Sequence, residues 1–291
     1  MPLQAADWVT YTLHPCNELT RSEAAMTTLD ACLTPPDAIA GAPRLSTAFL
    51  LGDSHAASYI VTLAAVLRGR AHVVFATVGH ICGFSSDSLM RATASADILP
   101  RCLAARDAMW EALRRHVRGG DAVCILTANW KFTLNYAATG QGHGIAFVRS
   151  VADFAESRNA SLVVLGDGPS LEYRGSDCYP SGAPIRRTSA SPCDRTLADL
   201  HESHVMADDE YAALASQRPD SVYAFRALDL FCTGGVCGAQ VPGSTLVGVG
   251  DRSHWTFEGA LYVAPFLACF LDRNGLLFPP GVDLGERSPT W

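Results

Sequence analysis

Five short apolar runs, at residues 46–51, 71–77, 122–127, 161–165 and 221–225, alternate along the chain with longer stretches whose apolar residues return every three or four positions. The runs read as buried strands. The stretches at 56–67, 100–118, 145–158, 208–217 and 257–271 read as helices, the second with Leu103, Met109, Trp110, Leu113 and Val117 near one face. Few folds satisfy this order. Consecutive parallel strands need a crossover, a helix supplies it, and the sheet that results is covered on both faces. The expectation is a three-layer α/β/α fold with a central parallel five-stranded sheet, in which ligands sit beyond the carboxyl ends of the strands. A hydrophobic fraction of 48% over 291 residues supplies enough apolar surface for such a core.

Two regions depart from the alternation. Residues 1–45 carry Pro15, Pro35, Pro36 and Pro43 with a short helical segment near 21–29, and read as a lead-in pinned by cysteines. Residues 166–205 are rich in glycine and proline and read as an excursion between strand and helix. With no internal repeat and no linker, residues 46–291 read as one domain.

The first strand ends in Leu51-Gly52-Asp53-Ser54-His55-Ala56 and leads into a helix. A helix start has unpaired backbone N–H groups and a positive partial charge, so a serine there can attack a carbonyl while its own N–H faces the oxyanion. Gly52-Asp53-Ser54 alone is a short motif that is also met as a polar turn in which Asp53 or Ser54 caps the helix. A partner near the other end strengthens it. In Val249-Gly250-Asp251-Arg252-Ser253-His254, an acid and an imidazole three residues apart precede the last helix. Ser54, His254 and Asp251 thus make a candidate nucleophile, base and orienting carboxylate. Asp53 reads as a buried acid that stabilises the turn.

Ten cysteines with a net charge of -7 describe an acidic protein of an oxidising compartment. Eight of the cysteines fall into local pairs, Cys16 with Cys32, Cys82 with Cys102, Cys178 with Cys193 and Cys232 with Cys237, which are expected as disulfides; a zinc site drawn from the same residues is the alternative. Cys124 and Cys269 are expected as buried thiols. No basic tract invites nucleic acid. The longest apolar segment, 259–271, is interrupted by Pro265 and falls short of the about 20 residues needed to cross a bilayer. Residues 1–7 do not read as a secretion signal, so the disulfides imply that the sequence is part of a longer exported or membrane-bound polypeptide.

Taken together, Gly52-Asp53-Ser54, a glycine after the second strand, an asparagine after the third and Asp251-x-x-His254 resemble the SGNH hydrolases. The blocks Leu51-Gly52-Asp53-Ser54-His55-Ala56, Val78-Gly79-His80-Ile81-Cys82, Asn129-Trp130, Leu228-Asp229-Leu230-Phe231-Cys232 with Cys237, and Asp251-Arg252-Ser253-His254 with Gly259-Ala260 are similar to the SGNH domain fused to membrane acyltransferase-3 domains. The resemblance implies a flavodoxin-like fold and O-acylation, with acetyl as the expected group, of a carbohydrate hydroxyl through a serine acyl-enzyme. It makes Ser54 the nucleophile, His254 the base and Asp251 its orienting acid. Ser54 N–H, Gly79 N–H and the Asn129 side chain would form the oxyanion hole, with Gly83 the alternative to Gly79. An acyl donor and a polysaccharide acceptor are the implied partners, with a membrane acyltransferase domain in the same polypeptide and an extracytoplasmic location, whether periplasmic, lumenal or secreted. No metal or cofactor is called for. The alternatives are a carbohydrate O-acetylesterase and a glycan-binding module without activity.

Other polar residues carry blander readings. His55 reads as local hydrogen bonding at the turn or as a substrate contact, and Trp130 and Trp255 as sugar-stacking rings or ordinary packing. His201 and His204 have ligand-like spacing, but Asp199 and Glu202 around them suggest a solvated helix end. Gly166-Asp167-Gly168-Pro169-Ser170 imitates the serine turn, yet Pro169 lacks the N–H such a site would use, so it reads as a loop.

Overall fold

A computed structural model describes residues 16, 29–36, 45–78, 84–126, 128, 144–174, 178 and 194–277. Its strands are β1 (Thr47–Gly52), β2 (His72–Thr77), β3 (Ala122–Leu126), β4 (Ser161–Leu165), β5 (Arg195–Thr196), β6 (Val222–Phe225), β7 (Cys232–Thr233) and β8 (Val236–Cys237). Its longer helices are α1 (Ser54–Leu67), α2 (Asp87–Thr93), α3 (Leu99–His116), α4 (Ile145–Ser157), α5 (Met206–Gln217) and α6 (Phe257–Arg273), with a single helical turn at Leu29–Cys32.

The central sheet is parallel and has the order β2-β1-β3-β4-β6, as the alternation of runs predicts. Every residue of β1 and of β3 is buried, which explains why both strands are unbroken apolar runs: a parallel strand between two helical layers has no wet face. From β1 the chain crosses outward to β2 and then returns past β1 to β3, so the crossover direction reverses between β1 and β3. A crevice opens at that reversal, outside the carboxyl ends of the two strands. With right-handed crossovers, α1 covers one face of the sheet and α3 to α5 the other. α6 packs on α1, where the Thr62 hydroxyl donates to the Ala260 carbonyl at 2.9 Å. α3 and α4 meet through Trp110, whose ring centroid lies 6.0 Å from Phe147 and 5.4 Å from Phe154.

As the expected helix over 257–271 requires, α6 runs through Pro265, which lies on the exposed side, where a lost backbone hydrogen bond can be replaced by water. Two features depart from the expectations. α2 is an added helix capped by Ser86, whose hydroxyl accepts from Leu89 N–H at 3.2 Å. Within the glycine-rich excursion and beyond it, β5, β8 and β7 form a small antiparallel sheet. Gly234 and Gly235, at φ of 60° and 80°, make its hairpin turn, a conformation in which a Cβ is strained.

Cys16 is bonded to Cys32 and Cys232 to Cys237. Cys102 and Cys178 are also in disulfides, while their expected partners Cys82 and Cys193 lie outside the described residues. Among the described residues these sulfurs are in disulfides, and no cluster of His, Cys, Asp or Glu is placed to hold a metal. Cys124 is a buried free thiol, whereas Cys269 is free but partly exposed on α6. No described helix is long and apolar enough to cross a membrane.

Candidate active site

The turn between β1 and α1 is built by close approach and by one buried acid. A Cβ at Gly52 would run into the Leu126 carbonyl and into Ala56, so only glycine lets the end of β1 lie against the end of β3. Gly52 O accepts from Val78 N–H at 3.0 Å, which ties down β2 as well. Asp53 is fully buried: Oδ1 accepts from His55 N–H at 2.9 Å as the cap of α1, and Oδ2 accepts from Ala128 N–H at 3.1 Å. One carboxylate therefore fixes the helix start to the chain that leaves β3. Ser54 follows as the first residue of a 14-residue helix, with that helix's positive end behind it.

The partner loop closes on itself before α6. Val249 pairs with Trp255 as an antiparallel bridge, and Gly250 N–H donates to His254 O at 2.9 Å. Asp251 shapes the loop, its Oδ1 accepting from Ser253 N–H at 2.8 Å and from His254 N–H at 2.7 Å. Its other oxygen stands 2.7 Å from His254 Nδ1, and His254 Nε2 stands 2.9 Å from Ser54 Oγ. Partial burial opposes the charge of Asp251, but the hydrogen bonds from the His254 ring and from the two backbone N–H groups outweigh it and hold the carboxyl well below the usual range. An ionised Asp251 keeps the imidazole proton on Nδ1 and leaves Nε2 as the acceptor of the Ser54 hydroxyl. The loop is seated by Gly259, where a Cβ would strike the Gly248 backbone.

A second layer lies beneath. His55 is buried, with Nδ1 2.9 Å from Asp167 Oδ1 and its ring centroid 4.6 Å from that of His254. Leu171 N–H donates to Arg252 O at 2.6 Å, which brings the loop after β4, and Asp167 with it, up to the loop before α6. Asp167 also accepts from Gly168 N–H at 2.9 Å. Its burial is opposed by His55 and His204, and the carboxyl stays below its ordinary range. Tyr59 donates to Gly166 O at 2.7 Å, and burial pushes its phenol well above the ordinary value.

Of the residues singled out in the sequence, Ser54, Asp251 and His254 come together, and His55 lies behind them. Gly79, Gly83, Asn129 and Trp130 lie outside the described residues. Trp255 is 4% exposed and packs on Tyr59 and Phe231, so its ring faces the core and is not offered to a sugar. His204 is not at a solvated helix end. It is fully buried on a π-helical turn, His201–Val205, with Nδ1 2.7 Å from Ser203 Oγ and Nε2 3.2 Å from Ser170 Oγ. Asp167 was hidden in what reads as a loop, although an acid directly after a buried strand on the crevice edge was the available signal.

Residues 15–268 match the family described as SGNH domain, fused to AT3 domains. Among solved structures, the chain is similar to the periplasmic domain of the lipopolysaccharide acetyltransferase of Salmonella ser. Paratyphi A, with a TM-score of 0.60 and 12% identity over 92% of this chain and 94% of that one. It is also similar to a Bacteroides fragilis protein proposed to be an acylhydrolase, with a TM-score of 0.47 and 12% identity over 87% of this chain and 97% of that one. No curated protein matches the chain. At 12% identity the likeness to the Salmonella domain is one of fold.

Proposed function

Because the chain belongs to the SGNH domain family that is fused to AT3 domains, we propose that it is a serine acyl-enzyme that moves an acetyl group onto a carbohydrate hydroxyl. The observation that carries the reading is the unbroken line from Asp251 through His254 to the Ser54 hydroxyl, at 2.7 Å and 2.9 Å. As Ser54 Oγ attacks the acyl carbonyl, its proton passes to His254 Nε2, and Asp251 steadies the imidazolium. The oxyanion meets Ser54 N–H, with Gly79 N–H and the Asn129 side chain as further donors, each worth on the order of 3 kcal/mol in the barrier. Val78 and Ala128, the chain neighbours of those two residues, are bonded to the Gly52-Asp53 turn, which supports the assignment. Collapse expels the donor's leaving group, which takes the proton from His254. A sugar hydroxyl then gives its proton to His254 as it attacks the ester, and Ser54 Oγ leaves the acyl carbon and takes that proton back from His254 Nε2.

Residues 46–291 form the catalytic domain in this reading and residues 1–45 its lead-in. The family description favours an AT3 membrane domain as the partner that supplies the acyl group. The disulfides, the Salmonella domain's periplasmic location and the family's membrane fusion favour an extracytoplasmic site. Transfer is favoured over hydrolysis by the likeness to the Salmonella protein, an acetyltransferase. Carbohydrate O-acetyl hydrolysis is the second reading, since the His254 side chain is 29% exposed and water can reach it.

Acetate release from p-nitrophenyl acetate by the wild type, Ser54→Ala and His254→Ala tests the mechanism. Both variants should lose at least about a hundredfold; equal rates in all three would refute the acyl-enzyme and leave a glycan-binding module. Adding an oligosaccharide acceptor and reading its mass separates the two chemistries. A gain of one acetyl with a faster turnover supports transfer, and rapid hydrolysis indifferent to acceptor supports the esterase.

A further inference from the structure

Two Ser-His dipeptides, Ser54-His55 and Ser253-His254, meet at the site, and each histidine faces the serine of the other. His254 Nε2 is 2.9 Å from Ser54 Oγ; His55 Nε2 is 3.5 Å from Ser253 Oγ, at the outer limit of hydrogen-bond reach. Each ring has a carboxylate on Nδ1, Asp251 at 2.7 Å for His254 and Asp167 at 2.9 Å for His55. The rings lie 4.6 Å apart, tilted by 44°. The two lines differ in burial. The Asp251 side chain is 51% exposed, while those of His55 and Asp167 are 8% and 3% exposed.

From this crossing we propose that His55 and Asp167 are positioning residues for His254, with His55 as the fixed wall behind its ring and the Asp167 carboxylate as a second negative charge favouring its imidazolium. The inference rests on the acyl-enzyme reading above. His254 stands on a partly exposed loop, and a loop imidazole keeps its aim only if its faces are held. His55 supplies such a face from the rigid start of α1, and the Ser253 hydroxyl reaches toward the same ring. Asp167, after β4, is fixed in turn by Gly168 N–H.

The charge argument follows from the hydrogen bonds. An ionised Asp167 accepts from His55 Nδ1–H, which fixes the ring and leaves its Nε2 turned toward Ser253. The Asp167 carboxylate therefore stands as a negative charge behind the two rings, whose centroids are 4.6 Å apart, when His254 takes the proton of Ser54.

Steady-state kinetics of the folded chain on p-nitrophenyl acetate test this, with Asp167→Asn, which keeps shape and removes charge, His55→Asn, which keeps a donor near Nδ1 and removes the ring, and the double variant. Each single variant should lower kcat about tenfold with KM within about twofold, and the double should be no worse than the poorer single, as for residues that act as one unit. If Asp167→Asn does not fold, His55→Asn and Ser253→Ala read the same quantity, the latter with an expected loss in kcat of about threefold. Unchanged kcat in the folded variants, or a loss carried by KM, would overturn the inference. Ser54→Ala in the same assay separates the two levels. If it is as active as wild type, the acyl-enzyme reading has failed; if it is inactive while the other variants match wild type, only the positioning role has failed.

Discussion

Replacing Asp53 with alanine should destabilise the protein by about 3 kcal/mol, and the figure follows from two hydrogen bonds. Asp53 is 0% exposed, its Oδ1 caps α1 through His55 N–H at 2.9 Å, and its Oδ2 takes Ala128 N–H at 3.1 Å. Loss of the cap costs about 1 kcal/mol. Ala128 is itself 1% exposed, so its N–H would be left buried without that partner, at about 2 kcal/mol. For a domain of this size the total corresponds to a fall in Tm of roughly 6 to 12 °C. Asp53→Asn separates geometry from charge: the amide oxygen serves one N–H, but the amide nitrogen confronts the other, and the expected cost is about 2 kcal/mol. Urea unfolding at pH 7 followed by tryptophan fluorescence, extrapolated linearly, measures both. If alanine and asparagine both fall within about 0.5 kcal/mol of wild type, the view of Asp53 as the tie between α1 and β3 is wrong.

Three further outcomes are expected. Asp251→Asn should lower kcat by about 10⁴-fold with little change in Tm, because an amide cannot hold the His254 proton on Nδ1; a loss under tenfold would speak against the assigned tautomer. Asp167 has a folded pKa below its unfolded value, so its contribution is present above the unfolded value and is lost as pH falls through the folded one. The stability gap between wild type and Asp167→Asn should therefore narrow between pH 7 and about pH 3 in urea titrations, and a gap that widens on acidification would contradict this. Cys124, whose thiol burial pushes up to about 12, should resist iodoacetamide at about pH 8 until the protein is unfolded; labelling in the native state, read by peptide mass, would show the core of β3 to be open.

The central sheet was legible because parallel strands advertise themselves. β1 and β3 are buried on both faces and must be continuous apolar runs, so their limits fall within a residue or so of the expected ones. Ser54 could be placed from the sequence because it opens a helix directly after a buried strand, and Asp251 and His254 because their three-residue spacing stands just before the last helix. The pieces missed are those in which local pattern misleads. Trp255 follows His254 on extended backbone, where neighbouring side chains point to opposite sides, so a residue adjacent to the site in sequence is turned into the core. His204 sits on a π turn, where the 3.6-residue phase that relates a histidine to its charged neighbours does not hold. Asp167 was discounted because of Pro169, although its part is played by a side chain and needs no N–H from the following residues. β5, β7 and β8 are two residues each, too short for any periodicity to register.

Ser54 and His254 are separated by 200 positions and meet because α6 docks on α1. A growing polypeptide therefore carries its serine in a dormant form, and at about 5 to 20 residues per second the imidazole is synthesised roughly 10 to 40 s later. In the proposed mechanism the hydroxyl has no base during that interval, and the ester chemistry begins only when the last helix takes its seat. On that mechanism the 200 positions between the two segments set a delay, during which an unfinished copy has a serine without its imidazole.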